Sequence, residues 1–541
     1  MKIKTLLNIV VLILVLIGTS KAFSAADVVT KMRIGDESGN TALVTDHQAL
    51  QVTPPSEGKS AFGEALVSQV TPLVNLIFRY NLNQDRVDYF DNKSGSVTQA
   101  NSMAVIATGA ATNSSGEIRS KDQLRYVPGL GASARFTAVF TTGVAGSSQG
   151  AGIGNSANGF YFGYDGATFG ILHRKNGSPE IRTLTVSTKS STAENITITL
   201  DGDSTGDVVP VTNGADATVT ANEIAAYDYS DVGRGWKAQA VGNTVIFISY
   251  NSTPRTGTYS LSSASTAVGT FAQTVAGVAP TDTWIPQSDW NGRDKFDGSG
   301  HTGVQIDPTK GNVYKITYQW LGFGRIVFSI EDPDDGEFHE VHSIAYANSN
   351  TAPSVSNPTL PLNLFAINTS NNSNIVVKSA SMGGFIEGVN EVIGARRAKS
   401  ASITLGATAA ETPILTLKNK AVYQGNVNTI PVKIERVNVA VEHTKPVGIA
   451  FYRNTTLVGA SFSDYSANTS VLQTDTSATS FSSSGTLLFS VELGKTGNDT
   501  IYFPDWAQSV INPGETITAT IKPKSGNAAE ATVSVSFVEL F

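Results

Sequence analysis

No cysteine occurs in the 541 residues, which excludes disulfides, thiolate metal sites, cysteine nucleophiles and iron–sulfur clusters together. Charge is scarce as well. Asp, Glu, Lys and Arg make up 15% of the chain, against about 25% in an average globular protein, so Ser, Thr, Asn and Gln must cover the surface. The net charge is −7 and no block of Lys or Arg follows the first few residues, which excludes the electrostatic footprint of a nucleic-acid binder. No Gly-rich phosphate loop ends in Gly-Lys-Ser/Thr, and no nucleophile elbow places Ser between glycines on a strand-to-helix turn. Nucleotide and α/β-hydrolase chemistry are thereby excluded.

What is present begins with a leader. Lys2 and Lys4 precede a run from Leu6 to Ile17 that is apolar except for Asn8, followed by Ser20-Lys21-Ala22-Phe23-Ser24-Ala25. This is the layout of a secretory signal, with cleavage after Ala22 or Ser24. The run is about 18 Å long as a helix, short of the ~30 Å hydrocarbon core of a bilayer. An uncleaved membrane anchor extended to Phe23, with Lys21 snorkelling, is the competing reading for residues 1–24. Residues 25–60 read as an N-terminal arm with a hairpin, closed by the linker Pro54-Pro55-Ser56-Glu57-Gly58.

From there the chain reads as strands. Arg135-Phe136-Thr137-Ala138-Val139-Phe140 and Phe160-Tyr161-Phe162-Gly163-Tyr164 alternate as half-buried strands do, and long helical patterns are missing. The expected fold is all-β: a lectin-like (concanavalin-like) β-sandwich split over 61–180 and 281–390, a small inserted α+β module at 181–280, a connector at 391–400, and a C-terminal jelly-roll-like β-sandwich at 401–541. The Thr- and Ala-rich insertion contains a short helix from about Ala221 to Tyr229. Gly150 to Gly154 reads as a link between two strands, and the polar segment Ser461 to Ser484 reads as a long exposed loop.

Few groups are left to carry chemistry. Asp289, Asn291, Asp294 and Asp297, interleaved with Gly, form a candidate calcium loop, because hard cations take Asp and Asn oxygens; the spacing and terminal Glu of an EF-hand are absent. Trp290, flanked by polar residues, is the candidate sugar-stacking ring, whereas Trp320 sits inside a strand and reads as core. Glu331, Asp332, Asp334, Asp335 and Glu337 are the carboxylates from which a glycoside-cleaving pair could be drawn, but Asp, Pro and Gly in that order build a turn. His339 and His342 point to opposite faces of a regular strand and read as surface residues. No catalytic residue is assigned.

The strings FGEALVSQVTPLV, LRYVPGLGASARFTAVFTTGVAG, GFYFGYDGATFGILHR, DPTKGNVYKITYQWLGFG and YANSNTAPSVSNPTLPL resemble an uncharacterised family of virion or fibre-like structural proteins from tailed bacteriophages and giant double-stranded DNA viruses. The resemblance spans Val28 to Gly388 and extends more weakly to the C-terminus. It implies a non-enzymatic virion surface or appendage protein, with other virion proteins as partners, a homo-oligomer (a trimer by analogy with fibres) and host attachment through a surface glycan. The hydrophobic leader adds export or tethering to a virion or host membrane. A secreted carbohydrate-binding adhesin and a polysaccharide depolymerase are the alternative functions.

Overall fold

The computed structural model describes residues 70–541 apart from 203–205, 231–234, 389–392, 407–409, 443–445, 495–496, 503–509 and 524–528. The leader, the arm and its linker lie outside the described residues. All described residues belong to one compact unit, Ser56–Phe541.

Alternation becomes a sandwich in the first half of the chain. The strand Gly131–Phe140 buries Phe136, Ala138 and Phe140 and turns Arg135 outward, as period two requires. It lies within a nine-stranded sheet beside Asn312–Tyr318. Facing it is a seven-stranded sheet in the order Thr281–Pro286, Thr168–Lys175, Gly159–Asp165, Ser147–Gly154, Leu360–Asn368, Ser115–Leu124 and Val87–Asn92. Every neighbour in that sheet runs antiparallel. The core between the two sheets is aromatic: Phe162 lies 4.8 Å from Tyr314 and 5.5 Å from Phe328, centroid to centroid. Burying each such ring contributes roughly 1.5–3 kcal/mol, which supplies cohesion that crosslinks cannot. The all-β sandwich expected from the sequence is the fold observed.

The glycine-rich stretch is a strand rather than a link. Gly150 sits in the middle of Ser147–Gly154, opposite Phe365. A Cβ added there would meet Phe365 Cε1 at 2.6 Å, so the missing side chain lets that ring lie down on the sheet. Phe365 then gathers Tyr161, Leu172 and Trp284 into a small apolar cluster on the sheet's outer face. Arg174 lies 5.3 Å over the Phe365 ring and makes two hydrogen bonds to Asp282, at 2.8 and 2.7 Å.

Between the hairpin strands Thr168–Lys175 and Thr281–Pro286, which pair Lys175 with Thr281, the chain leaves the sheet and returns. The excursion has four- and three-stranded sheets and its own core around Leu184, Ile196, Ile198, Trp236 and Phe247. Its helix is Ala217–Ala226, earlier in the chain than expected. The Asp216 carboxylate fixes the start by accepting from the Thr218 and Val219 amides. The end comes before Tyr227 because Tyr229 turns into the core and donates to the Ile224 carbonyl.

A second sandwich of five- and six-stranded sheets closes on Val437, Val439, Ile449, Phe451 and Phe537. Two expectations fail here. From Ala395 onward the supposed connector is already a strand, Ala395–Leu405, paired along its length with Ala529–Glu539; it stands at the end of the strand order and so forms a sheet edge. The polar stretch Ser461 to Ser484 is not a wholly exposed loop either. Leu472–Asp475 pairs with Thr412–Asn419 and is buried, because the Asp475 carboxylate accepts from the Ser461, Ser477 and Ala478 amides and so satisfies donors that burial would otherwise orphan.

Candidate functional site

Three parts of the fold meet at one cleft of about 420 Å3, within the roughly 300–1,000 Å3 usual for small-molecule sites. The first wall is the edge of the seven-stranded sheet, where Asp88 stands on Val87–Asn92 opposite Arg119. The second is the inserted module, through Tyr227, Lys237 and Tyr250. The third is the C-terminal sandwich, through Asn428, Asn454, Asn512 and Glu515.

The walls are joined by contacts made only in the folded chain. Tyr250 stacks on Phe90 with centroids 4.3 Å apart. The Arg119 guanidinium lies 4.8 Å over the other partner of that pair, Phe90, and donates to the Tyr250 carbonyl at 3.2 Å. Lys237 reaches across to hydrogen-bond Asp88, with Lys121 4.0 Å away on the same carboxylate. Burial works against the charge on Asp88, yet Lys237, Lys121 and Arg119 hold its pKa below the usual carboxylate range. On the far side, Gln239 bridges the insertion to the second sandwich by donating to the Asn419 carbonyl and accepting from the Ala421 amide. Asn512 donates to Asp122 at 3.2 Å. Burial pushes Glu515 up, while its carboxylate accepts from the Asn512 amide.

Charge in the cleft is therefore largely internally paired. What is left for a ligand is neutral polar groups and ring faces. One polar atom stands out: Gln123 lines the cleft, and its Oε1 is buried without a hydrogen-bond donor among the described residues. An orphaned acceptor costs about 1–3 kcal/mol unless something donates to it.

None of the residues singled out from the sequence lies here. Trp290 is a correction: it is 1% exposed, with its indole N–H donated to the Ile285 carbonyl and its ring between Phe162 and Phe169 in the sandwich core. It cannot stack on a sugar. Its polar neighbours face inward too, since the Asn291 amide grips Ser343 by donating to its carbonyl and accepting from its N–H. Asp294 accepts from the Phe296 and Thr302 amides, and Asp297 from the Ser299 amide. Asp289 takes the Ser288 hydroxyl. Thus each proposed calcium ligand already has an oxygen in a protein hydrogen bond, Asp289, Asp294 and Asp297 within their own loop and Asn291 with Ser343. Among the described residues, the carboxylate and imidazole groups that do converge are Asp332, Asp335 and His339. The turn reading of Glu331 to Glu337 holds, with Asp332 accepting from the Asp334 amide and Asp335 from the Glu337 amide.

The cleft was invisible locally because its walls come from residues near 88, 120, 237 and 512, far apart in sequence. Tyrosines in AAYDYSD and FISYNS were the available signal, but only the docking of the insertion gathers them.

No family model matches the chain, and no curated protein matches it. Among solved structures, it is similar to the VIP36 exoplasmic/lumenal domain in its Ca2+/Man3GlcNAc-bound form: 13% identity, 60% of this chain and 91% of that one, TM-score 0.23. It is likewise similar to the legume lectin-like domain from Entamoeba histolytica, with 11% identity, 58% and 97% coverage and a TM-score of 0.20. A third is lectin I-B4 from Griffonia simplicifolia, with 12% identity, 57% and 98% coverage and a TM-score of 0.21. The last two are lectins by name, but superposition at this level locates no binding site and identifies no ligand. Among the described residues no helix is long and apolar enough to cross a membrane.

Proposed function

We propose that this chain is a non-enzymatic carbohydrate-binding protein and that a neutral saccharide occupies the cleft between the two sandwiches and the insertion. The observation that carries this reading is the orphaned Gln123 acceptor in a cleft walled by Tyr227 and Tyr250. A sugar offers hydroxyl donors to such an acceptor and C–H faces to tyrosine rings, and it brings no charge to upset the Asp88–Lys237 pair. Glycan-array binding by the full chain tests it. Signal on neutral glycans that free ligand competes away is the expected result, and a blank array opposes it.

A second reading sets this binding on a virion surface or appendage, the chain contacting other virion proteins and attaching particles to a host glycan. The resemblance of residues 28–388 to virion and fibre-like proteins favours it. A tagged copy absent from purified particles of the source would remove it without touching the carbohydrate proposal.

A further inference from the structure

The hairpin joining Ile326–Glu331 to Phe338–Ile344 carries a donor set that turn formation leaves unused. Asp332 and Asp335 each commit one oxygen, Oδ1, to a backbone amide of the turn. Their other oxygens face one imidazole nitrogen: His339 Nε2 lies 3.1 Å from Asp335 Oδ2 and 3.9 Å from Asp332 Oδ2. The ligand atoms of the three residues lie within 4.8 Å of one another. Asp332 is not a surface carboxylate, since its side chain is 3% exposed, and its Oδ2 faces His339 Nε2. Keeping a carboxylate out of water is costly unless a cation or donor meets it.

A second imidazole approaches from the loop that follows Trp290. The His301 and His339 ring centroids are 6.0 Å apart. His301 Nδ1 lies 3.3 Å from Asp294 Oδ2, and Asp294 is itself locked by the Phe296 and Thr302 amides. A carboxylate that holds one ring nitrogen fixes the tautomer and reserves the other for a metal. Two imidazoles on one tetrahedral zinc hold their ligating nitrogens about 3.3 Å apart at 2.0–2.1 Å bond lengths, which ring centroids at this separation can accommodate.

We propose that Asp332, Asp335 and His339, completed by His301, bind a divalent transition ion of the zinc class. Asp294 is the positioning residue. Imidazole nitrogen beside carboxylate oxygen favours zinc over calcium, which takes oxygen donors only. The ion would staple the 332–337 turn to the loop around His301. None of these residues lines the cleft, so the site stands apart from the carbohydrate reading.

The test is calorimetric titration of the chelator-stripped full chain with zinc chloride and, separately, calcium chloride. One zinc per chain is expected, with affinity at least tenfold lower in His339→Ala and in His301→Ala, and reduced in Asp294→Asn. Millimolar calcium should not displace the zinc. Circular dichroism and melting temperature of the stripped proteins separate lost ligation from lost folding, and Asp335→Asn, at the exposed end of the turn, serves as the milder variant if His339→Ala unfolds. Absence of zinc binding, equal affinity in the folded histidine variants, or displacement by calcium would each overturn the proposal.

Discussion

Tyr250 of the inserted module lies nearly flat on Phe90 at the edge of the first sandwich, centroids 4.3 Å apart and planes 15° from parallel. This one stack, with Lys237 bonded to Asp88 beside it, turns an insertion at a hairpin end into a wall of the cleft. Tyr250→Ala should cost about 0.5–1.5 kcal/mol beyond the area the ring buries. It should also weaken saccharide binding, since the wall loses its register. Urea unfolding read alongside ligand titration checks both, and unchanged binding would detach the insertion from the site.

Gln123→Ala separates function from stability. The buried Oε1 has no donor among the described residues, so removing it deletes no internal bond and the melting temperature should hold or rise. A sugar hydroxyl that donates to Oε1 would lose about 1 kcal/mol, a fall in affinity of roughly fivefold. Paired calorimetry and thermal melts measure the two effects.

Lys418 gives the junction between the insertion and the second sandwich a pH dependence. Its ammonium donates to the Ala240 carbonyl and faces the Phe462 ring, and burial lowers its pKa to about 8. Between pH 8 and 10 the unfolded chain holds a proton on this lysine that the folded chain has released, so stability should rise with pH across that window. The full effect of the lysine is about 3 kcal/mol, and it is absent below pH 8. Lys418→Met should flatten that part of the profile. Denaturant midpoints of both proteins at pH 7.5, 8.5 and 9.5 show whether it does.

How far the sequence could be read depends on where the information lies. Strand alternation is local, so Arg135 to Phe140 announced which residues face the core, and 136, 138 and 140 are buried as their spacing requires. Trp290 failed for the opposite reason. Its polar neighbours suggested an exposed ring, but Asn291 is used up on Ser343, more than 50 residues away, and the indole turns inward. The same long reach hid Leu472–Asp475, whose polar letters read as a loop until the partner strand and the Asp475 caps were seen. His339 looked like a surface residue because strand period says nothing about a turn folding two carboxylates back onto it.

The Arg174–Asp282 pair fixes the outer face of the seven-stranded sheet next to the point where the chain leaves for the insertion. Arg174 lies over Phe365 and Tyr161 with its side chain 13% exposed. Asp282→Ala leaves that guanidinium without its carboxylate, and the expected cost is about 1–3 kcal/mol. Arg174→Met with Asp282→Ala should recover part of it, because no unpaired charge then remains. Urea midpoints of the single and double variants decide between the two.

The most direct measurement of the central claim is hydrogen exchange of the full chain with and without a glycan that it binds. Protection is expected in three separate stretches at once, around Gln123, Lys237 and Asn512, because a sugar in the cleft touches all three walls. Protection confined to any other surface, or to none, would contradict the account.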